Sequence, residues 1–353
     1  MDNKRFQEIL ERFSNAKVAV FGDFFLDLYI QLDRSLSELS LETRKEAFQA
    51  VDLRGQPGTA GVVTNNLRAL GVETAAICFL GDDGNGFTMR QALENNQVNT
   101  DYVIIAEDRF TPTYTKPMMK EIDDRIVEQN RIDIINRTPN SPELNQALAE
   151  NLRRAAEEYD GILVVEQVNR DGYGNLSPLV RSVLSEIARR YPEKVIIADS
   201  RHFTDRYRNI SLKMNLSEAI QAAQNLGIDL DLNETTRSSS PVQSCVRAFW
   251  EFSKKPVFIT LGEEGICGMS EGEYFHHPGY HVQGPVDIVG AGDSVMAGLG
   301  LAFCVGATPQ EAAYVGNLVG SVTVEQIGTT GIATIEDLRR RHLEYQSQII
   351  NRK

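Results

Sequence analysis

The four residues Gly290-Ala291-Gly292-Asp293 combine three small side chains with an acid, and an apolar stretch rich in alanine and glycine follows them. Small side chains leave backbone N–H groups open to an anion, and the amino end of a helix adds a favourable dipole. A carboxylate beside a phosphate is electrostatically unfavourable, so its presence there indicates a chemical role. The role we infer for Asp293 is to accept a proton from an alcohol that attacks phosphorus. A glycine-rich turn that merely caps a core helix is the alternative over these four residues.

Two further acids, Asp23 and Asp27, lie four residues apart after the first predicted strand. Open α/β sheets bind ligands at the carboxyl ends of their strands, and one carboxylate can accept hydrogen bonds from two hydroxyl groups. We therefore expect Asp27 to bind a polyhydroxy substrate, whereas Asp23 fits a solvated turn equally well. The sequence contains no phosphate-binding Gly-x-x-x-x-Gly-Lys-Ser/Thr motif, and no Gly-x-Gly-x-x-Gly follows the strand, which argues against a dinucleotide site.

Composition excludes several classes of protein. The 353 residues carry 36 basic and 49 acidic side chains, a net charge of −13, which argues against nucleic acid as the main partner. No apolar run approaches the ~20 residues that span a bilayer, and the amino terminus lacks a secretory signal. The four cysteines are far apart in apolar surroundings, as expected of reduced core thiols in a cytoplasmic protein.

Three histidines, at 276, 277 and 281, form a separate candidate. Their spacing matches neither a helix nor a zinc knuckle, and no acid cluster is adjacent. A surface hairpin is therefore favoured over a metal site.

Short β-branched runs alternate with helical stretches along the chain, which predicts a parallel sheet covered by helices. The length of 353 residues allows one large domain or two modest ones. Strands are predicted at Lys17–Gly22, Thr74–Leu80, Gly161–Val165, Val195–Ala198, Ser211–Met214 and Val257–Leu261. Helices are predicted at Asp2–Phe13, Ala60–Leu70, Gly84–Asn95, Pro142–Glu158, Pro178–Arg190, Pro241–Ser253, Ala291–Val305, Pro309–Gln326 and Ile335–Ile350. Four of these begin with proline, which favours the first helical position.

Two stretches, residues 28–53 and 111–137, do not follow this alternation. They carry alternating polar and apolar residues with few helix signals, which predicts strands of a small separate sheet.

Asp-x-x-Gly-Ala-Gly-Asp-Ser before a helix of small residues resembles the carboxyl-terminal signature of the PfkB/ribokinase family of carbohydrate kinases. The resemblance extends from Lys17 to about Asp337. It implies a ribokinase-like three-layer α/β/α sandwich in which the small sheet is a lid over the sugar and packs against a second copy. It also implies ATP-dependent transfer of a phosphoryl group to a sugar hydroxyl, with Asp293 as the base and Asp27 orienting the sugar.

The resemblance also implies substrate residues. Gly58 lies in the segment Gly55–Val62, which matches the family's sugar-binding region in position, although Val62 stands where an asparagine is expected. Asn65 and Asn66, one helical turn away, are candidate replacements. Lys116 lies in Thr113-Tyr114-Thr115-Lys116, which looks like an element of the heptose-7-phosphate kinase branch.

That branch usually carries arginines at the positions of Leu28 and Glu38, and a lost arginine weakens the anchoring of a sugar phosphate. Lys116, Arg131 and Arg201 remain as candidate phosphate partners, with a solvated surface charge as the alternative for each. The sugar is therefore left open at this stage.

Further positions match the family's nucleotide and metal sites. Thr260, Gly262 and Gly265 resemble its Thr-x-Gly-x-x-Gly ATP segment, and Asn317 matches a position near the adenine, or is simply a helix-surface residue. Asn215 and Glu218 match an Asn-x-x-Glu motif that holds water ligands of Mg²⁺, and a helix cap is the alternative. Asp287 and the turn at 328–330 resemble a monovalent-cation site, with K⁺ as the candidate ion.

Three hypotheses follow: a heptose-phosphate kinase, a kinase for another sugar or nucleoside, and a nucleotide-binding protein whose sugar site has eroded. The departures at Leu28, Glu38 and Val62 favour the last, and the intact Gly290–Asp293 run argues against it.

Overall fold

The computed structural model describes residues 1–228 and 240–351. Its fourteen strands are β1 Lys17–Gly22, β2 Phe24–Leu39, β3 Glu46–Thr59, β4 Glu73–Gly81, β5 Asn99–Ala106, β6 Thr113–Lys120, β7 Ile126–Glu128, β8 Ile132–Ile134, β9 Gly161–Glu166, β10 Val195–Ser200, β11 Ser211–Asn215, β12 Val257–Thr260, β13 Ile266–Ser270 and β14 Glu273–His277.

The helices in the described ranges are α1 Asn3–Arg12, α2 Ala60–Ala69, α3 Gly84–Asn95, α4 Pro142–Glu158, α5 Pro178–Arg190, α6 Leu216–Asn225, α7 Ser240–Ser253, α8 Ala291–Cys304, α9 Pro309–Thr323 and α10 Ile335–Asn351. Proline occupies the first turn of α4, α5 and α9, as its fixed φ predicts. Among these residues no helix has both the length and the apolar character that crossing a bilayer requires.

The central sheet has nine strands in the order β14-β13-β12-β11-β10-β9-β1-β4-β5. Its pairs from β5 to β12 are parallel, and β13 and β14 complete one edge as antiparallel strands. The buried strands carry continuous apolar runs, as expected of a sheet covered on both faces. All their carboxyl ends from β9 to β12 therefore meet at one edge.

Two apolar cores cover the two faces of this sheet. Alternate residues of β1 point to opposite sides, with Val18 and Val20 in one core and Ala19 and Phe21 in the other. The first core contains residues of α1, α2, α3, α8, α9 and α10. The second contains residues of α4, α5, α6 and α7. This is the predicted three-layer α/β/α sandwich.

A second sheet of five strands leaves the first at Asp23, where β1 ends and β2 begins. Its order is β3-β2-β6-β7, with β8 also paired to β6. Both stretches that departed from the helix–strand alternation supply its strands, so the predicted separate sheet is confirmed.

The predicted strands and helices are all present, with ends that differ by up to three residues. Sequence patterning missed β5, β13 and α6, and it predicted β14 only as part of a surface hairpin at the histidines. The strand β5 is only partly buried and begins with the polar residues 99–101, which precede its apolar run. In α6, the polar residues Ser217, Gln221 and Gln224 interrupt the apolar pattern.

Candidate active site

A cavity of about 750 Å³ lies where the carboxyl ends of β9 to β12 face the amino end of α8. Its volume lies within the ~300–1,000 Å³ range of small-molecule sites. The cavity brings together many of the predicted residues with others that were not predicted: Glu166, Asp199, Arg201, Lys213, Asn215, Glu218, Thr260, Gly262, Gly265, Asp293 and Asn317, together with the Gly290-Ala291-Gly292 turn.

The amino end of α8 is formed by a left-handed turn. Gly290 has φ +75° and ψ 3°, a conformation that only glycine adopts without strain. The Ala291 N–H donates to the Ile288 carbonyl at 3.1 Å. The N–H groups of Gly290, Gly292 and Asp293 have no acceptor among the described residues. Of the three amides expected to form the anion hole, that of Ala291 is therefore already hydrogen-bonded, and the Asp293 amide is available in its place.

Asp293 lies in the first turn of α8, half buried at the cavity wall. Burial, followed by the negative charge of Asp199, raises the pKa of its carboxyl to about 7, against the opposing effects of Lys213 and Arg201. A carboxyl group with a pKa near neutrality can both take up and release a proton under physiological conditions. This is the property that a general base needs.

Lys213 and Asp199 are functional candidates that the sequence reasoning missed. They occupy paired positions on β11 and β10, with Lys213 Nζ 2.5 Å from Asp199 Oδ2. Lys213 is only 3% exposed. A charged residue inside the apolar strand Ser-Leu-Lys-Met, and an acid ending the strand Val-Ile-Ile-Ala-Asp, were the available signals, because both mark strand ends that face a ligand.

Asn215 and Glu218 cap α6 reciprocally. The Asn215 side chain accepts from the Glu218 N–H at 2.9 Å, and Glu218 Oε2 accepts from the Asn215 N–H at 2.8 Å. Burial, followed by Asp199, raises the pKa of Glu218. The helix-cap alternative therefore holds, but it uses only one carboxylate oxygen. No donor among the described residues reaches Glu218 Oε1, so the cap leaves that oxygen available at the cavity.

The predicted nucleotide segment borders the opposite side of the cavity. Gly265 has φ +93°, and a Cβ there would lie 2.1 Å from the His277 carbonyl oxygen. Thr260 Oγ donates to the Met214 carbonyl at 3.4 Å. Asn317 is buried and donates to the carbonyls of His277 and Pro278 at 3.1 and 3.3 Å. Asn317 therefore holds the cavity wall in place, and the helix-surface alternative is wrong.

Asp287 organises a turn behind the α8 amino end. One of its oxygens accepts from the Val289 N–H at 3.0 Å, and the other accepts from the Gly328 N–H at 2.9 Å. The Gly328 carbonyl in turn accepts from Arg54 at 3.2 Å. This carboxylate fixes the loop that leads into the Gly290 turn.

Asp27 and Lys116, both predicted substrate residues, form an ion pair in which Lys116 Nζ lies 3.0 Å from Asp27 Oδ1. Each is the fourth residue of its strand, β2 and β6, which are neighbours in the second sheet. Lys116 also donates to the Tyr29 hydroxyl at 3.2 Å. Burial has the largest single effect and lowers the pKa of Lys116, but the charge of Asp27 and the hydrogen bonds to Asp27 and Tyr29 together outweigh it and leave a net rise. A Cβ on Gly58 would lie 2.8 Å from Asp27 Oδ2, so glycine is required beside this carboxylate. The negative charge of Asp27 also acts on Asp293.

Asp23 is buried and fully engaged in holding the fold. One oxygen accepts from the Gln167 and Val168 N–H groups at 2.8 and 2.9 Å, and the other accepts from the Asn175 N–H at 2.8 Å and its side chain at 3.3 Å. Four donors saturate a carboxylate. Asp23 therefore has no acceptor position left for a sugar hydroxyl, so it is not a sugar ligand. Because it is buried, it is not a solvated turn acid either.

The position of the expected sugar-binding asparagine is apolar and closed. Val62 is 1% exposed, and a Cβ on Gly290 would lie 3.5 Å from its Cγ1. Asn66 is buried and bonds Val62, Ser294, Gly331 and Ala333. Asn65 instead accepts from Asn96. Neither asparagine replaces the missing amide at the substrate site, so that hypothesis is wrong.

Other candidates lie apart from this chemistry. His276 and His277 are on β14 of the β13–β14 hairpin, as predicted, and His276 contacts the Glu264 carbonyl at 2.8 Å. Arg131 pairs with Asp133 at 2.7 Å. The four cysteines are free thiols, three buried and Cys304 half buried.

Residues 15–335 match the family described as pfkB family carbohydrate kinase. The bifunctional protein HldE of Pelobacter propionicus is 27% identical over 355 residues, covering 100% of this chain and 69% of that protein. The protein of the same name from Trichlorobacter lovleyi is 28% identical over 362 residues, with the same coverage.

Solved structures agree on the fold. Arabidopsis thaliana ribokinase complexed with ribose and ATP superposes with a TM-score of 0.67 at 16% identity, covering 92% of this chain and 98% of that chain. The nucleoside kinase of Methanocaldococcus jannaschii gives 0.61 at 17% identity, covering 93% and 98%. The predicted ribokinase-like fold is thereby confirmed.

Proposed function

Because this chain belongs to the pfkB family of carbohydrate kinases, we propose that it transfers the γ-phosphate of ATP to a hydroxyl group of a sugar phosphate. The observation that carries the proposal is the position of Asp293, beside helix-end amides that lack internal acceptors. The incoming hydroxyl gives its proton to Asp293 while its oxygen bonds to phosphorus and the bond to the ADP oxygen breaks. The Gly292 and Asp293 amides stabilise the charge that develops on the phosphoryl group.

The residues at the cavity fit a nucleotide. Gly262, Gly265 and Thr260 leave backbone open along one wall, and Asn317 secures the loop at 277–278. The volume of about 750 Å³ accommodates a molecule of this size.

Mg²⁺ fits the same cavity. Within the described ranges no cluster of three His, Cys, Asp or Glu forms a cage, but Mg²⁺ usually keeps several waters and takes one or two carboxylates besides phosphate oxygens. Glu218, with Asn215 beside it, would hold such an ion through water. When bound, the ion neutralises charge on the nucleotide phosphates.

For K⁺, we propose Asp287 and the turn at 328–330, where the carboxylate already orders the backbone behind the anion hole. Turnover that rises when KCl replaces NaCl at equal ionic strength supports this assignment, and equal turnover in both salts contradicts it.

The acceptor side favours an anionic sugar. Asp27 orients hydroxyl groups, and Lys116 is half-buried and positively charged beside it. The similarity to the HldE proteins along the entire chain supports a heptose 7-phosphate as the acceptor. Residues 28–53 and 111–137 act as a lid in this proposal.

The lid also supports a homodimer. Its strands expose large apolar side chains, among them Leu39 at 66%, Leu53 at 64% and Ile126 at 63%. Several exposed large apolar side chains on one small sheet favour an interface there. A dimer in sedimentation that dissociates in Leu53→Glu supports this, and a wild-type monomer contradicts it. The free cysteines support a cytoplasmic location.

The test is coupled ADP release with Mg²⁺ and ATP over a panel of heptose 7-phosphate, other sugar phosphates, unphosphorylated sugars and nucleosides. The proposal expects kcat/KM to be highest for heptose 7-phosphate, with mass spectrometry showing one added phosphate. A preference for a nucleoside or a neutral sugar would reassign the acceptor. ADP binding without turnover on any acceptor would support the eroded nucleotide-binding protein instead.

A further inference from the structure

We propose that Lys213 is a catalytic residue that donates hydrogen bonds to the transferred phosphoryl group, and that Asp199 positions it. The inference rests on the proposed function, because it assigns a new residue to that same cavity. Neither residue was marked by the motifs of the sequence.

The first observation is where the ammonium lies. A Cβ on Gly292 would be 3.2 Å from Lys213 Nζ, which places the charge directly beside the backbone amides that open α8. Lys213 and Gly292 both line the cavity. The ammonium is thus at the mouth of the anion hole.

The second observation is an incomplete set of hydrogen bonds. An ammonium group has three donors. One donates to Asp199 Oδ2 at 2.5 Å, and the other two have no acceptor in residues 1–228 and 240–351. The side chain is nevertheless 3% exposed. A buried lysine with two unused donors facing a cavity can donate both to the oxygens of an anionic ligand.

The third observation is the charge balance around it. Among the carboxylates that line the cavity, those of Asp199, Glu218 and Asp293 raise the pKa of Lys213, and the lysine and arginine that line it are Lys213 and Arg201. A phosphoryl group entering among three carboxylates would be repelled. Lys213 is the cation held against the anion hole, so it offsets this repulsion where charge develops.

Asp199 explains how the lysine is held. The two residues are directly paired across β10 and β11, and a buried strand position restricts the lysine stem. The carboxylate therefore fixes the direction of the ammonium, while two N–H groups stay free. Buried ion pairs often contribute little net free energy to folding, so stability alone does not explain why this pair is buried at the cavity.

The test compares two nucleotides that differ at the γ-position, in the full-length protein with Mg²⁺. Calorimetry measures AMP-PNP and ADP binding to wild type, Lys213→Met and Lys213→Arg. Lys213→Met should weaken AMP-PNP binding about tenfold or more and change ADP affinity by less than about threefold, since charged hydrogen bonds are the strong ones. Equal weakening of both nucleotides, or no weakening, would overturn the proposal.

Turnover supplies the second readout. Lys213→Met should lower kcat by ~10²–10³-fold with little change in KM for the acceptor, and Lys213→Arg should restore part of it. Lys194→Met is the matched control: this half-buried lysine bonds the Tyr159 carbonyl just before β10, away from the cavity. Its kcat should equal that of wild type.

A double variant without either charge separates a role of Lys213 in catalysis from a role in stabilising the fold. Asp199→Asn with Lys213→Gln removes both charges, so its unfolding midpoint should exceed that of Lys213→Met. Its turnover should stay low if Lys213 acts on the phosphoryl group. Recovery of wild-type turnover would show that Lys213 serves only as the counter-ion of Asp199. Absence of wild-type turnover on every acceptor would refute the proposed function, while the AMP-PNP and ADP comparison would still judge Lys213.

Discussion

The cavity wall proposed to bind the nucleotide, here called the nucleotide side, and the second sheet proposed to cover the acceptor, here called the lid side, are built differently. On the nucleotide side, the decisive groups are backbone amides and glycines, such as Gly290 with φ +75° and Gly265 with φ +93°. On the lid side, they are side chains, chiefly the ion pair of Asp27 and Lys116. A site made of backbone requires only small residues at fixed spacing. A site made of side chains depends on partners distant in sequence.

The largest expected effect is on the nucleotide side. Asp293→Asn should lower kcat by about 10³-fold or more, because a general base contributes ~10²–10⁴. The backbone anion hole survives this substitution, so AMP-PNP affinity measured by calorimetry should stay within about threefold of wild type. Turnover within tenfold of wild type would remove Asp293 from the mechanism.

The next effect separates two acids near the lid. Asp27→Asn should lower kcat/KM for the acceptor by ~10²-fold, because it weakens both hydroxyl binding and the hold on Lys116. Asp23→Asn should instead reduce the free energy of unfolding by ~2–4 kcal/mol, since its amide would face backbone donors. Denaturant unfolding and acceptor kinetics on both variants check this. A stable Asp23→Asn with the acceptor defect of Asp27→Asn would contradict the division of roles.

A smaller effect concerns the glycines of the nucleotide wall. Gly265→Ala should reduce the free energy of unfolding by about 2 kcal/mol or more and raise KM for ATP, because its Cβ would lie 2.1 Å from the His277 oxygen. Gly262→Ala is the matched control: its φ is +63°, but nothing lies within 4 Å of the added Cβ. It should cost only about 1 kcal/mol. Equal losses would show that space at Gly265 does not matter.

The smallest effect is on stability against pH. Burial, then the amino-terminal charge and His276, lowers the pKa of His277 to about 4. The unfolded chain binds this proton at about pH 6.5, whereas the folded protein binds it only near pH 4. Stability should therefore decline as pH falls from about 6.5 towards 4. Thermal melts of wild type and His277→Asn test this, and the variant should lose part of the decline; identical slopes would contradict it.

The sequence predicted the parallel sheet and the helices well, because continuous apolar strands and proline-led helices are local signals. It missed α6 and β5 because polar residues interrupt their patterns. In the site, the turn at Gly290 was predicted from spacing alone. The occupied amide of Ala291 was not, since it depends on how the loop at 287–289 closes.

Tertiary contacts decided the remaining assignments. Asp23 resembled Asp27 in sequence, yet four donors from the segment 167–175 enclose it. Lys213 and Asp199 lie on different strands, and only the register of β10 with β11 brings them together. The local pattern could mark each residue as a candidate, but their pairing has no local signature, so sequence patterns could not reveal it.

Asp293 is the proposed proton acceptor, and the pH dependence of kcat/KM for the sugar substrate tests this role most directly. With a carboxyl pKa of about 7, wild-type kcat/KM should rise about tenfold per pH unit at lower pH and level off above neutrality. Besides Asp293, the groups that set this midpoint are Asp199, Lys213, Arg201 and Asp27. The residual activity of Asp293→Asn should lack the inflection near pH 7. The same inflection in that variant would mean that another group takes the proton.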